Sequence, residues 1–449
     1  MDQTIHRARS ISIDRRRAVQ LSVAGAGAAG LSFRAANAQA GTTPVASPVA
    51  DADIPISGEA VPELADFDAV MLAALPKWNL PGAQLAIAYE GRLVYNRGFG
   101  YASVEDSEVV EPEHRFRITS NSKPFTAVGI LRLIDAGLLT LDTAVFPLLN
   151  LDSPTDAPRD PRLDTITVEQ LLVHSGGWNS AAADNDPQYL PWPLVASHVL
   201  GAEVPAEAET IIRYMQSKPL DFDPGTLSAY SNFGFNVLGR VIEHVSGQDY
   251  ETFIQDGILT PSGITTMAIG GTTLEERLDG EVRYYAPPGM AFRPSVFPGE
   301  GFVPVGYGSF YMRSLDSHGG WVGSAEDLIR FMLTIDGQRG EALLTDATIT
   351  VMETTPRPPS AAAGAGNVAT SLGLGWNSVP GEGGYEWSHA GALEGSNCAW
   401  SVRRPDGTAI TLLANSLPED YGPFFGETFS ALYELLTGIT DWPDIDLFA

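Results

Sequence analysis

The chain has 449 residues, 44% of them hydrophobic and 18% charged, which is globular composition rather than that of a disordered or collagen-like chain. Acidic residues outnumber basic ones 55 to 27, for a formal charge of −28, so the surface repels phosphate backbones and a nucleic-acid partner is set aside. Cys398 is the lone cysteine, none of Lys77, Lys123 and Lys218 follows a glycine, and the seven histidines show no close ligand pair; no disulfide, phosphate-binding loop, metal or other cofactor is indicated.

Residues 1–40 carry Arg7, Arg9, Arg15, Arg16, Arg17 and Arg34 against Asp2 and Asp14. The basic block leads into AVQLSVAGAGAAGLSF, which is too short and glycine-rich to span a bilayer stably, and then into Ala36, Ala38 and Ala40 in A-x-A spacing. This pattern predicts a leader cleaved after Ala40, and Asp14-Arg15-Arg16-Arg17 is similar to a twin-arginine signal. The mature protein is therefore expected outside the cytoplasmic membrane, periplasmic or extracellular, without a transmembrane helix. Gly25, Gly27 and Gly30 also match a dinucleotide-binding fingerprint. A Pro/Ala/Thr-rich linker, residues 41–62, stands where that fold needs a second strand and an acid, so the flavoprotein reading is set aside.

A single globular domain is expected over 63–440. It opens with an amphipathic helix over Glu63 to Trp78, then GAQLAIAY and RLVYNRGFGYAS around a turn at Glu90-Gly91, a strong hairpin signal. Strand signals return at Asn397 to Val402 and AITLLAN, around Pro405-Asp406-Gly407. Between these ends the chain is helix-rich, with capping-box patterns at Thr167-x-x-Gln170 and Ser324-x-x-Asp327. The order predicts an α/β (α+β) protein: an antiparallel sheet built from both chain ends and flanked by helices, with an inserted helical lobe from about 118 to 317. A chain of this size exceeds one core, so a cleft between two lobes is expected.

Three short motifs carry chemistry. Ser120 and Lys123 sit at the start of a helical pattern that ends near Gly137, and residues three apart share a helix face, so the Lys123 amine can reach the Ser120 hydroxyl. The helix start also offers free backbone N–H groups to a developing oxyanion. Tyr230 and Asn232 lie on a loop entering another helix, where a phenol can relay a proton and an amide can fix substrate and lysine. His389 and Gly391 alternate onto one face of a strand, and glycine there lets a substrate backbone approach the sheet edge. Taken singly, each has a bland reading as a helix cap, a buried tyrosine beside an Asn turn, or a structural histidine.

S-x-x-K and Y-x-N occur once each, and the H-x-G at His389 follows them in that order. With FRITSNSKPFTAVGILRLIDAGLLTLD, ITVEQLLVHSGGW, GGWVGSAEDLIRFM and WSHAGALEGSN, they make the chain resemble the serine β-lactamase and penicillin-binding protein superfamily. The likeness is to its class C β-lactamase-like branch, which includes D-alanyl-D-alanine carboxypeptidases and family VIII esterases. The resemblance implies the β-lactamase/DD-peptidase-like fold and an acyl-enzyme mechanism on an ester or amide of a small molecule or peptide. It implies Ser120 as nucleophile, Lys123 and Tyr230 as proton carriers, Asn232 as holder of Lys123 and substrate amide, and the N–H groups of Ser120 and Ala392 as oxyanion hole. His389 stands where class C β-lactamases carry a lysine, which counts against efficient β-lactam hydrolysis. His174 is read as structural; Trp178, Tyr189 and Trp192 either roof the site or only pack their own loop, the segment 281–317 raises the same question, and substrate identity is expected to reside in these two insertions. The competing function is a non-catalytic peptide- or β-lactam-binding sensor on the same fold. Oligomeric state is not legible.

Overall fold

The computed structural model describes residues 54–153, 158–179, 186–287, 290–361 and 372–448. The expected leader and most of the expected linker lie outside these residues.

The main sheet comprises β1 (Ile56–Ser57), β2 (Gly82–Tyr89), β3 (Arg92–Ser103), β4 (Glu108–Val109), β5 (Asn377–Gly381), β6 (Gly384–Leu393), β7 (Asn397–Arg403) and β8 (Thr408–Ala414). Its order is β1-β3-β2-β8-β7-β6-β5, with β4 paired to β3, and every pairing is antiparallel. The two chain ends meet at β2 and β8, where Leu85 faces Leu412. The β2–β3 hairpin turns at Glu90 (φ 47°) and Gly91 (φ 78°), the left-handed pair that a two-residue hairpin needs. Regular structure starts earlier than the helical periodicity indicates. Ile56 and Ser57 pair with Phe99 and Gly98, too short a strand to leave an alternating pattern.

Both faces of this sheet are covered, so its strands are buried almost continuously rather than alternately. Leu85, Ile87, Ile410 and Leu412 point to one face, packed with Phe67 and Met71 of α1 (Ala65–Lys77) and with Leu432 and Leu436 near the C-terminus. Ala86, Ala88, Ala409 and Leu413 point to the other, together with Phe331 and Leu328 of α4 (Ala325–Ile335). The alanines on that side leave room for α4 to lie close on the sheet. Gln84 ties the layers together: its amide donates to the carbonyls of Glu111 (2.7 Å) and His114 (2.8 Å) and accepts from Ala325 N (3.0 Å).

The helical lobe is centred on α2 (Ser122–Asp135) packed against α3 (Asn232–Ser246). Almost all of α2 is buried, which fits a helix apolar on most sides. It ends as the sequence predicts: Gly137 has φ 71°, and the N–H groups of Gly137 and Leu138 bond back to Ile134 and Leu133, a Schellman cap. Both expected capping boxes form, at Thr167/Gln170 and Ser324/Asp327. Ser120 lies at the junction of lobe and sheet, in the turn Thr119–Asn121 directly before α2.

Candidate active site

The nucleophile turn is clamped on both sides. The short strand Phe116–Arg117 pairs with Gly323 and Val322, and Arg117 O accepts from Asn397 Nδ2 at the start of β7. The Arg117 guanidinium is buried, bonds to Gly306 O and Gly271 O, and lies 4.5 Å from the Tyr284 ring and 5.6 Å from that of Tyr307. Thr119 then takes φ 49°, a costly conformation for a β-branched residue, which delivers Ser120 into the cleft, half-buried.

Lys123, one helical turn on, has no exposed surface. Its Nζ lies 3.1 Å from Ser120 Oγ, 2.7 Å from Asn232 Oδ1 and 3.0 Å from the carbonyl of His318. Burial pushes its pKa well below that of an ordinary lysine, and the Asp186 carboxylate opposes this more weakly. A neutral amine has two hydrogens and one lone pair. With the hydrogens on Asn232 and His318, the lone pair is left for the Ser120 hydroxyl. Tyr230 OH donates to Ser120 Oγ across 2.7 Å, and burial raises its pKa, so the phenol keeps its proton.

Tyr230 and Asn232 are placed by the entry to α3. Ser231 caps that helix by accepting from Gly234 N at 3.1 Å, and its own N–H donates to His174 Nδ1 at 3.2 Å. The His174 ring lies 4.7 Å from the Tyr230 ring, tilted 36° to it, and His174 sits at φ 58°. Burial depresses its pKa, so it is a neutral acceptor that positions the Tyr230 loop, as its structural reading expects.

Strand β6 supplies the opposite wall. β5 pairs with it only as far as Ser388, so the edge from His389 onward is free of β5 and lies against the nucleophile turn. A Cβ on Gly391 would fall 1.9 Å from Thr119 Oγ1 and 2.7 Å from Ser120 N. Glycine is required for that approach, and Ala392, half-exposed, follows it. His389 is buried and shares a 2.9 Å contact with the Ala390 carbonyl through Nδ1. Desolvation, with Lys123 and Arg357 nearby, pulls its pKa down to about 3, so its ring is uncharged at neutral pH.

All seven residues expected from the sequence therefore converge on one cleft. Two others were not legible. Asp186 Oδ2 accepts from Asn232 Nδ2 at 2.7 Å, and Arg357 is close enough to depress the pKa of His389 and of Tyr230. Arg357 has its pKa lowered to about 10 by burial, and it bonds to Gly373 O (3.1 Å), Asn377 Oδ1 (3.2 Å) and Trp376 O. Neither sits in a periodic element, and nothing local separates Asp186 from the other acids of its Asn/Asp/Pro-rich segment. Of the aromatics expected near the cleft, Tyr189 reaches it, with its OH 3.4 Å from Asn232 Nδ2. Trp178 packs instead into the core, on Phe233 and Phe146. Tyr284 and Tyr307 from the 281–317 segment brace Arg117. Among the described residues no cluster of side chains could hold a metal ion, and no helix is long and apolar enough to cross a membrane.

Residues 67–424 match the family described as Beta-lactamase. A protein of Escherichia coli K12 assigned as a D-alanyl-D-alanine carboxypeptidase is 25% identical over 357 residues, which is 74% of this chain and 77% of that one. Among solved structures, SurE aligns with a TM-score of 0.59 at 26% identity, covering 86% of this chain and 78% of its own. The D-amino acid amidase of Ochrobactrum anthropi SV3, complexed with D-phenylalanine, aligns with a TM-score of 0.63 at 20% identity over 83% of this chain and 99% of its own, a likeness of fold. With the sheet, the inserted helical lobe and the cleft between them, these matches identify the chain as a member of the Beta-lactamase family, whose fold it has.

Proposed function

We propose that this protein is an exported serine hydrolase that forms an acyl-enzyme on Ser120 and cleaves esters or amides. The observation that carries the reading is the triangle of Ser120, Lys123 and Tyr230, in which a desolvated amine lies 3.1 Å and a protonated phenol 2.7 Å from one hydroxyl oxygen. Lys123 takes the Ser120 proton as Oγ attacks the substrate carbonyl, and the N–H groups of Ser120 and Ala392 hold the resulting oxyanion. Tyr230 hands a proton to the leaving group and is replenished from Lys123. A water molecule then releases the acyl group by the same path in reverse. The relatives support the reaction class, since one is assigned as a carboxypeptidase and another acts as a D-amino acid amidase. A sensor that binds without turnover has no use for a proton relay of this completeness.

Incubation of the purified protein with a fluorophosphonate probe and peptide mass spectrometry tests the assignment, alongside hydrolysis of p-nitrophenyl acetate. Ser120 should carry the label, and Ser120→Ala should lose both label and ester turnover. Labelling at Ser122 or Ser175, or no turnover by a labelled wild type, would overturn it.

A further inference from the structure

The Asn232 amide is fully committed to the protein's own groups. Oδ1 accepts from Lys123 at 2.7 Å, and the two hydrogens on Nδ2 face Asp186 Oδ2 at 2.7 Å and Tyr189 OH at 3.4 Å. Turning the amide over would set its oxygen against a carboxylate and its NH2 against the lysine, so the orientation is fixed. A substrate carbonyl arriving here finds no free donor. What it meets beside Asn232 is an acceptor.

That acceptor is incompletely used. The second oxygen of Asp186 takes one hydrogen bond, from Gln188 N at 3.1 Å, and among the described residues no cationic side chain bonds to either oxygen. A carboxylate offers about four acceptor positions, so about half take no hydrogen bond among the described residues. Lys123, the nearest amine, is spent on Ser120, Asn232 and His318. Burial raises the pKa of the Asp186 carboxyl, because a buried carboxylate to which no described cation bonds is expensive, and a cation brought by the substrate favours its ionised form.

We propose that Asp186 receives a free α-ammonium group of the substrate, so that the enzyme acts on amides and esters of amino acids, or on peptides, whose reacting residue carries an unmodified amine. This rests on the serine-hydrolase reading and narrows it. N-acylated peptides and β-lactams, which present a carbonyl at that position, are disfavoured by the same geometry. Tyr189, whose OH oxygen has room for a second donor, completes the acceptor pair.

Two measurements separate this inference from the reading beneath it. Ester turnover and Ser120 labelling test the hydrolase itself. The amine preference is tested by comparing kcat/KM for the p-nitroanilides of D- and L-alanine with their N-acetyl forms. The free amine should win by about tenfold or more, as expected for a charge-assisted hydrogen bond. In Asp186→Asn this ratio should collapse towards one, mainly through KM, and Asp186→Glu should restore part of it. Binding without turnover gives an independent reading: calorimetric titration of Ser120→Ala with alaninamide and N-acetylalaninamide should show the free amine binding about tenfold tighter. Equal binding or equal turnover of the two forms, or a ratio that survives in a folded Asp186→Asn protein, overturns the proposal.

Discussion

An amine sealed from water and touched by three acceptors is pulled two ways, because the acceptors favour the ammonium and desolvation favours the free base. At Lys123 desolvation is the larger effect, and that direction suits it to the proposed role of a base rather than a fixed charge. Lys123→Arg keeps the charge and cannot release it. The variant is expected to lose about three orders of magnitude in kcat, with Ser120→Ala/Lys123→Arg little worse than either single change, because the two side chains act as one unit. Steady-state and single-turnover kinetics on p-nitrophenyl acetate check this; a Lys123→Arg enzyme with most of its activity would assign the lysine an electrostatic role only. His389 bears on specificity in the same currency. With its pKa near 3 the ring carries no charge at neutral pH, so it cannot grip the carboxylate of a β-lactam. Short acyl esters should accordingly be cleaved faster than cephalosporins, measured as kcat/KM on p-nitrophenyl acetate and a chromogenic cephalosporin. The reverse order would point to Arg357, whose charge reaches His389, as the carboxylate's partner.

At the scale of elements, the site depends on one strand approaching one turn. β6 loses its β5 neighbour after Ser388 and meets the Thr119–Asn121 turn at Gly391, where even a methyl group would overlap Thr119 Oγ1 at 1.9 Å. Thr119 Oγ1 and Ser120 N belong to a strained turn and its short side chain, so the strand rather than the turn must give way. Gly391→Ala is expected to lower kcat by about a hundredfold, the usual effect of disturbing an oxyanion donor, and to cost about 1–3 kcal/mol of stability through overpacking. Kinetics and urea unfolding on the same preparation check both. A variant with normal kcat would show that the β6 edge takes no part in holding the oxyanion.

At the scale of the whole molecule, three of the described histidines are buried with depressed pKa values: His174, His318 and His389. An unfolded histidine titrates near 6.5, so on acidification the unfolded chain binds these protons first. The stability they represent is present above pH 6.5 and is lost as the pH falls below it, by up to about 1.4 kcal/mol per pH unit for each. Buried acids such as Asp327 and Glu386, whose pKa values are raised, act in the opposite sense. The histidine contribution is therefore read as a difference. His174→Asn keeps a residue that tolerates the left-handed backbone and can accept from Ser231 N. Its stability deficit relative to wild type should shrink by about 1 kcal/mol between pH 7 and 5.5 in urea unfolding, and a constant deficit would place His174 outside the titration. The proposed export also belongs to this scale, and it rests on residues 1–40 alone. Protein recovered from outside the cytoplasm should begin near Gly41 by N-terminal sequencing, and replacing Arg15 and Arg16 by lysine should retain the precursor; an intact Met1 on exported protein would refute the leader.

The amino-acid sequence by itself determined the parts whose causes are local. The hairpin at Glu90-Gly91, the capping boxes at Thr167 and Ser324, the Gly137 stop and the one-turn spacing of Ser120 and Lys123 follow from backbone preferences and helix geometry within a few residues. The remaining motif residues were legible because Tyr230-x-Asn232 and His389-x-Gly391 accompany S-x-x-K in a family resemblance, not because any local rule brings them to the same cleft. Only the tertiary structure decided how their charges are set and who their neighbours are. Lys123 is suited to act as a base because α2 is buried on almost every side, His389 is neutral because it is desolvated, and the Asn232 amide is committed because a loop 46 residues upstream sets Asp186 against it. Desolvation and long-range pairing depend on which segments pack together, and that information is spread over the whole chain rather than written beside any one residue.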